Sequence, residues 1–130
     1  MIQLDTDIVV AYLRGNDALA KRLHDAAADV AISAIVLAEL FYGARLSARV
    51  EEHKATILRL LSIMPTVPFD RACAEAYAEL KAGLKTIGKP TGETDALIAA
   101  TAMAHGATLI SHNRRHFENV PALKLDDWLA

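Results

Sequence analysis

The chain has 130 residues, enough for one domain with its own core and too few for two comfortable ones. Its 53% hydrophobic and 23% charged residues exclude a disordered chain, and its net charge of −2 lacks the global basicity usual in nucleic-acid binders, although a local basic patch stays open. A single cysteine, Cys73, excludes an internal disulfide and a cysteine-rich zinc site; lying among alanines, it reads as a small core residue. No basic leader precedes a long apolar run and no segment approaches an uninterrupted membrane span, so a cytosolic protein is expected.

Met1 to Asp5 is a short apolar run without amphipathic period and reads as a buried strand, with Asp5 and Asp7 at its carboxyl end. A helix from about Asp7 to Leu13 is ended by Gly15, and Asp17 is expected to cap a second helix from Ala18 to about Ala28. Val30 to Ile32 is a second strand, and Ser33 caps a helix from Ala34 to Arg45 that carries Glu39. The neighbours of Glu39 at helical spacing are apolar, so it either lies at the edge of a buried face or points into a site. Glu51 to Met64 is an amphipathic helix offering Ile57, Leu58, Leu60 and Leu61 to the core. Thr66 to Phe69 is a strand that Pro65 and Pro68 push to an edge, and Asp70 caps a long helix from Arg71 to about Ile87.

Pro90, Thr91 and Gly92 stop that helix, and Glu93 and Asp95 fall in the first turn of the next, which Gly106 closes before the strand Thr108 to Ile110. This helix is built on Ala96, Ala99, Ala100, Ala102 and Ala104, small enough for its backbone to lie close to a sheet and too apolar for a surface helix. Asp95 is thus an acid at the start of a buried helix, where it either complements the helix dipole or serves a site. Leu123 to Leu125 is a last short strand before Asp126, Asp127 and Trp128.

Short apolar strands alternating with helices predict right-handed crossovers and a mostly parallel α/β sheet covered on both faces, a three-layer α/β/α domain spanning residues 1–130. Sites in such sheets form beyond the carboxyl ends of the strands. Asp5, Glu39, Asp95 and Asn113 can therefore gather on one rim from separated places in the chain. Clustered carboxylates repel and persist only with protons or cations among them, and hard oxygen ligands suit Mg²⁺ or Mn²⁺ rather than zinc.

The segments LDTD at Leu4 to Asp7, AELFYGA around Glu39, KPTGETDALIAATAMAHGATLIS around Asp95 and SHNRRHF followed by LKLDDW resemble the PIN-domain ribonucleases, and within them the VapC toxins of toxin–antitoxin pairs. The resemblance spans essentially the whole chain. It implies divalent-metal binding by Asp5, Glu39 and Asp95, and Mg²⁺-dependent endonucleolytic cleavage of RNA, with Asn113 at the fourth acidic position of the family, where an amide weakens a second metal site. Asp7 stands where the family commonly has Asn, and either makes the site more negative or only caps the next helix. The resemblance also implies an antitoxin of the VapB kind, whose apolar helix or tail would cover positions such as Ile35, Leu40, Phe41 and Tyr42 unless these are core, and a homodimer.

A substrate phosphate needs positive partners. Arg114, Arg115 and His116 follow Asn113 directly, Arg14, Arg45, Lys85 and Lys89 lie in connections near the predicted rim, and Phe117 or Tyr42 is placed to stack on a base. Glu93, two residues before Asp95, reads as a dipole or water contact, and the histidines show no spacing typical of zinc ligands. Two other readings compete. Asp5-Thr6-Asp7-Ile8-Val9 fits the Asp-x-Asp pattern of haloacid-dehalogenase-like phosphatases, but no Gly-Asp-x-x-x-Asp pair follows late in the chain. A catalytically silent PIN-like binding module is the other; against it, three uncompensated acids on one rim would burden a fold with no use for them.

Overall fold

Strands β1 (Ile2–Leu4), β2 (Val30–Ser33), β3 (Thr66–Val67), β4 (Thr108–Ile110) and β5 (Lys124–Asp126) form one sheet in the order β3-β2-β1-β4-β5 in the computed structural model, which describes residues 1–130. Every neighbouring pair is parallel. Helices α1 (Thr6–Leu13), α2 (Asp17–Asp25), α3 (Ala34–Leu46), α4 (Val50–Leu60), α5 (Arg71–Thr86) and α6 (Glu93–Ala104) supply the crossovers and flank the sheet, giving the α/β/α layering expected. The chain first builds outward from β1 to β2 and β3, then returns past β1 to add β4 and β5 on its other side. That reversal places a crevice at the carboxyl end of β1, the ordinary ligand position of an open parallel sheet.

The local signals that start the helices are visible in the structure. Ser33 accepts the Val36 N–H at 3.1 Å and Asp70 accepts the Cys73 N–H at 3.1 Å, so both cap as the side-chain chemistry dictates. The second helix is capped differently from expectation: Asn16, extended after Gly15 at φ +91°, accepts the Leu19 N–H at 2.9 Å, and Asp17 becomes the first helical residue. This helix ends at Asp25, and a 3₁₀ turn, Ala27–Asp29, leads into β2.

The core cluster unites the sheet with the inner helix faces, among them Leu4, Ile32 and Leu109 from strands and Val36, Ile98 and Ala99 from helices. Helix α6 is the most deeply set, with Ala96, Ile98, Ala99, Ala100, Thr101 and Ala102 all buried; the alanines let its backbone approach closely. In α4 the expected core face is corrected at one position. Ile57, Leu60 and Leu61 share one side at helical spacing, whereas Leu58 lies about 100° round the helix and is 53% exposed. Cys73 is fully buried, as a core residue should be. No helix is long and apolar enough to cross a membrane.

Candidate active site

Asp5 directly follows β1, caps α1, and is only 5% exposed. Its N–H continues the ladder to the Ile110 carbonyl at 2.9 Å, which holds it level with the end of β4. One carboxylate oxygen, Oδ1, accepts the Thr6 N–H at 2.8 Å, and the other, Oδ2, accepts the buried Ser111 hydroxyl at 2.8 Å. The Asn113 N–H in turn donates to Ser111 Oγ at 3.0 Å. Thr6 reaches the other way: its hydroxyl donates to Glu39 Oε1 on α3 at 2.6 Å, so one residue ties both acids together. Asp95, in the first turn of α6, lies with Oδ2 3.2 Å from His116 Nδ1.

The electrostatics divide the acids. Burial pushes the Asp95 carboxyl above its ordinary value; His116 opposes it, and repulsion from Asp5 adds a smaller upward push. Burial and the charge of Asp5 likewise push Asp7 up, against two backbone N–H bonds, from Ile8 at 2.8 Å and from His112 at 3.0 Å. No lysine or arginine forms an ion pair with Asp5, Asp7, Glu39 or Asp95. Glu93, on the same turn as Asp95, is the opposite case. Lys81 Nζ lies 2.8 Å from its Oε1 and the Tyr77 hydroxyl donates to Oε2; the lysine first and the tyrosine second hold Glu93 below its ordinary value.

These residues suit a hard divalent cation in one way and not in another. No three carboxylate, imidazole or thiol groups converge closely enough to enclose an ion by themselves. Asp5 adds to the upward push that burial gives the Asp95 carboxyl, and Mg²⁺ characteristically takes one or two carboxylates while keeping several waters. As hard oxygen donors, Asp5 and Asp95 are of the kind such a cation takes, and Glu39 is linked to Asp5 through Thr6.

Of the residues expected to hold substrate, Arg114, Arg115 and His116 form an exposed 3₁₀ turn directly after Asn113, which is itself exposed. Arg115 and His116 line a cleft of about 260 Å³ that also includes Asp95 and Lys89. Arg14 lines a separate hollow beside Thr6 and Asp7. Phe117 is not available for stacking: at 1% exposure it belongs to the core, because the 3₁₀ turn presents its polar residues outward and returns the following ring to the apolar cluster. Tyr42, at 66% exposure, is free to make such a contact. Thr6 and Ser111 are the positioning residues that sequence reasoning missed. Both hydroxyls immediately follow buried strands or the acid at a strand end, and that placement was the available signal.

A model of the PIN domain matches residues 2–123. Ribonuclease VapC2 of Haemophilus influenzae is 35% identical over 97% of this chain and 96% of its own length. The tRNA(fMet)-specific endonuclease VapC of Shigella flexneri is 32% identical over 96% of each chain. Among solved structures, the fold matches VapBC2 from Rickettsia felis, bound to a DNA fragment from its promoter, with a TM-score of 0.92 and 36% identity over 98% of this chain and 99% of that one. With the acids of the resemblance set at the carboxyl edge of a PIN-like sheet, the chain belongs to the PIN-domain family, in its VapC branch.

Proposed function

We infer that the protein is the toxin of a type II toxin–antitoxin pair, an endoribonuclease that hydrolyses RNA phosphodiester bonds. The observation that carries this reading is the placing of Asp5 at the switch point of the sheet, tied through Thr6 to Glu39 and through Ser111 to Asn113, with no lysine or arginine paired to it. We propose Asp5 and Asp95 as ligands of Mg²⁺ (or Mn²⁺), with Glu39 as a further ligand or as base. A divalent ion bound there would polarise a phosphoryl oxygen and lower the pKa of water at the site.

The chain's own groups have definable tasks in that reading. Ser111 holds Asp5 Oδ2 and the Thr6 N–H holds Oδ1, which fixes the plane of the carboxylate before substrate arrives. Thr6 occupies Glu39 Oε1, leaving Oε2 to take the proton of the attacking water. Asn113, anchored through its N–H to Ser111, offers an amide carbonyl to orient that water. Asp7 spends both oxygens on backbone N–H groups, which argues against the phosphatase reading, where this residue would be the acid/base. Retention of the coupled acids likewise argues against the silent module.

The partner expected is a VapB-like antitoxin. A groove running from Glu39 between α1, α3 and α4 is lined by Val10, Leu13, Leu40 and Ile57, and suits an apolar segment that ends at the acidic rim. Leu40 is itself a core residue that also lines this groove, Ile35 and Phe41 are half-buried against the core, and Tyr42 is exposed. A homodimer belongs to the same proposal. The direct test is incubation of a mixed RNA pool with the purified protein and Mg²⁺, beside Asp5→Ala and EDTA controls. Discrete products lost in both controls support the reading; intact RNA with a folded, Mg²⁺-supplied protein would sink it.

A further inference from the structure

The cleft that contains Asp95 continues away from the acidic rim. It shares Leu84, Pro90 and Thr91 with a second hollow along α5, so the two adjoin as a furrow, with Asp95, Arg115 and Lys89 lining the first part and Lys85 the second. Arg115, Lys89 and Lys85 are exposed, and none of them is in an ion pair. Lys81 lines the same furrow but is already neutralised by Glu93, so the free cations form a track that begins at the acids and leads outward. On a chain whose net charge is −2, three unpaired cations lined up on one path from a carboxylate call for an anionic occupant.

We propose that this furrow is the strand-guiding subsite of the enzyme, in which Arg115, Lys89 and Lys85 contact successive backbone phosphates of single-stranded RNA on one side of the bond cut beside Asp95. The inference rests on the ribonuclease reading and adds to it the path of the substrate. Cations that contact phosphate carry affinity and salt dependence without base preference. The furrow therefore sets where the strand lies, and sequence choice is made elsewhere.

The test is fluorescence anisotropy with a short labelled single-stranded RNA of mixed sequence, in EDTA and on an Asp5→Asn background so that the probe stays intact. Lys85→Gln/Lys89→Gln/Arg115→Gln is compared with Lys21→Gln/Arg71→Gln/Lys124→Gln. The second set removes equal charge from α2, from the far end of α5 and from the start of β5. Circular dichroism checks that both remain folded. The furrow variant is expected to bind at least about tenfold more weakly and to lose about two to three from the slope of log affinity against log salt, while the control set changes little. Equal weakening by both sets, or none by the furrow set when the unsubstituted background binds, overturns the furrow and leaves the ribonuclease reading intact. Loss of antitoxin binding with RNA binding unchanged assigns the furrow to the protein partner and also overturns it. Absence of RNA binding by the background, together with absence of cleavage by the wild type, removes both.

Discussion

Glu93 and Asp95 are two acids in one helical turn, and the fold treats them in opposite ways. Glu93 is exposed, yet it receives Lys81 and the Tyr77 hydroxyl, and its carboxyl is held below the ordinary value. Asp95 is half-buried, has no lysine or arginine partner, and its carboxyl is pushed above the ordinary value by burial, against His116 and with a smaller push from Asp5. A carboxylate that serves only the fold is compensated where it stands. One left facing another acid in a crevice beyond a parallel sheet retains unfavourable energy that a cation would relieve. The difference separates an acid of the architecture from an acid of the site more sharply than position in the sequence does.

The comparison breaks most visibly under amide substitution. Asp95→Asn and Asp5→Asn should each lower the rate of RNA cleavage by at least about 10³-fold, whereas Glu93→Gln should stay within about threefold of wild type in the same gel assay. The next effect concerns the hydroxyls that hold the acids. Ser111→Ala should cost about 10–100-fold in activity and raise the Mg²⁺ concentration needed for half-maximal rate; Thr6→Val should act in the same direction through Glu39.

Stability supplies smaller effects of opposite sign. Because the folded-state pKa of Asp95 is raised, more protons are bound by the native than by the unfolded chain between the ordinary value and the raised one, and stability increases as pH falls through that window. Asp95→Asn should therefore melt roughly 1–3 °C higher than wild type at neutral pH without divalent ion, and the advantage should vanish as the pH drops through the raised pKa. Glu93 has the reverse linkage. Its lowered pKa gives stability that is present above its ordinary value and lost as pH falls through the folded one, so Glu93→Gln should melt lower at neutral pH, by no more than about 3 °C, and match wild type in acid. Thermal melts of both variants across a pH series would show the two gaps closing from opposite sides.

What could be read from the chain follows from how local each signal is. Asp5 at the end of an apolar run, Ser33 and Asp70 at helix starts, and the alanine-rich α6 behind Gly92 are settled by neighbours a few residues away, and all appear in the structure as expected. The Glu93 compensation was not legible, because Tyr77 and Lys81 sit one turn apart on α5 and meet Glu93 only when α5 and α6 pack together. The place of Ser111 after a strand is a local signal, but its partner is not: the bond to Asp5 joins residues 106 positions apart, through the pairing of β1 with β4. Phe117 shows the converse error. Beside its basic neighbours it reads as a ring free to stack, but burial of that ring outweighs the polarity of the turn that precedes it.

The central claim, that Asp95 with Asp5 binds the divalent ion and the lysine-paired Glu93 does not, is tested most directly by calorimetric titration of Mg²⁺ into wild type, Asp95→Asn and Glu93→Gln without RNA. The account predicts a saturable binding isotherm for wild type and for Glu93→Gln, and its loss in Asp95→Asn. Binding that survives in Asp95→Asn, or that disappears in Glu93→Gln with the fold intact, would contradict it.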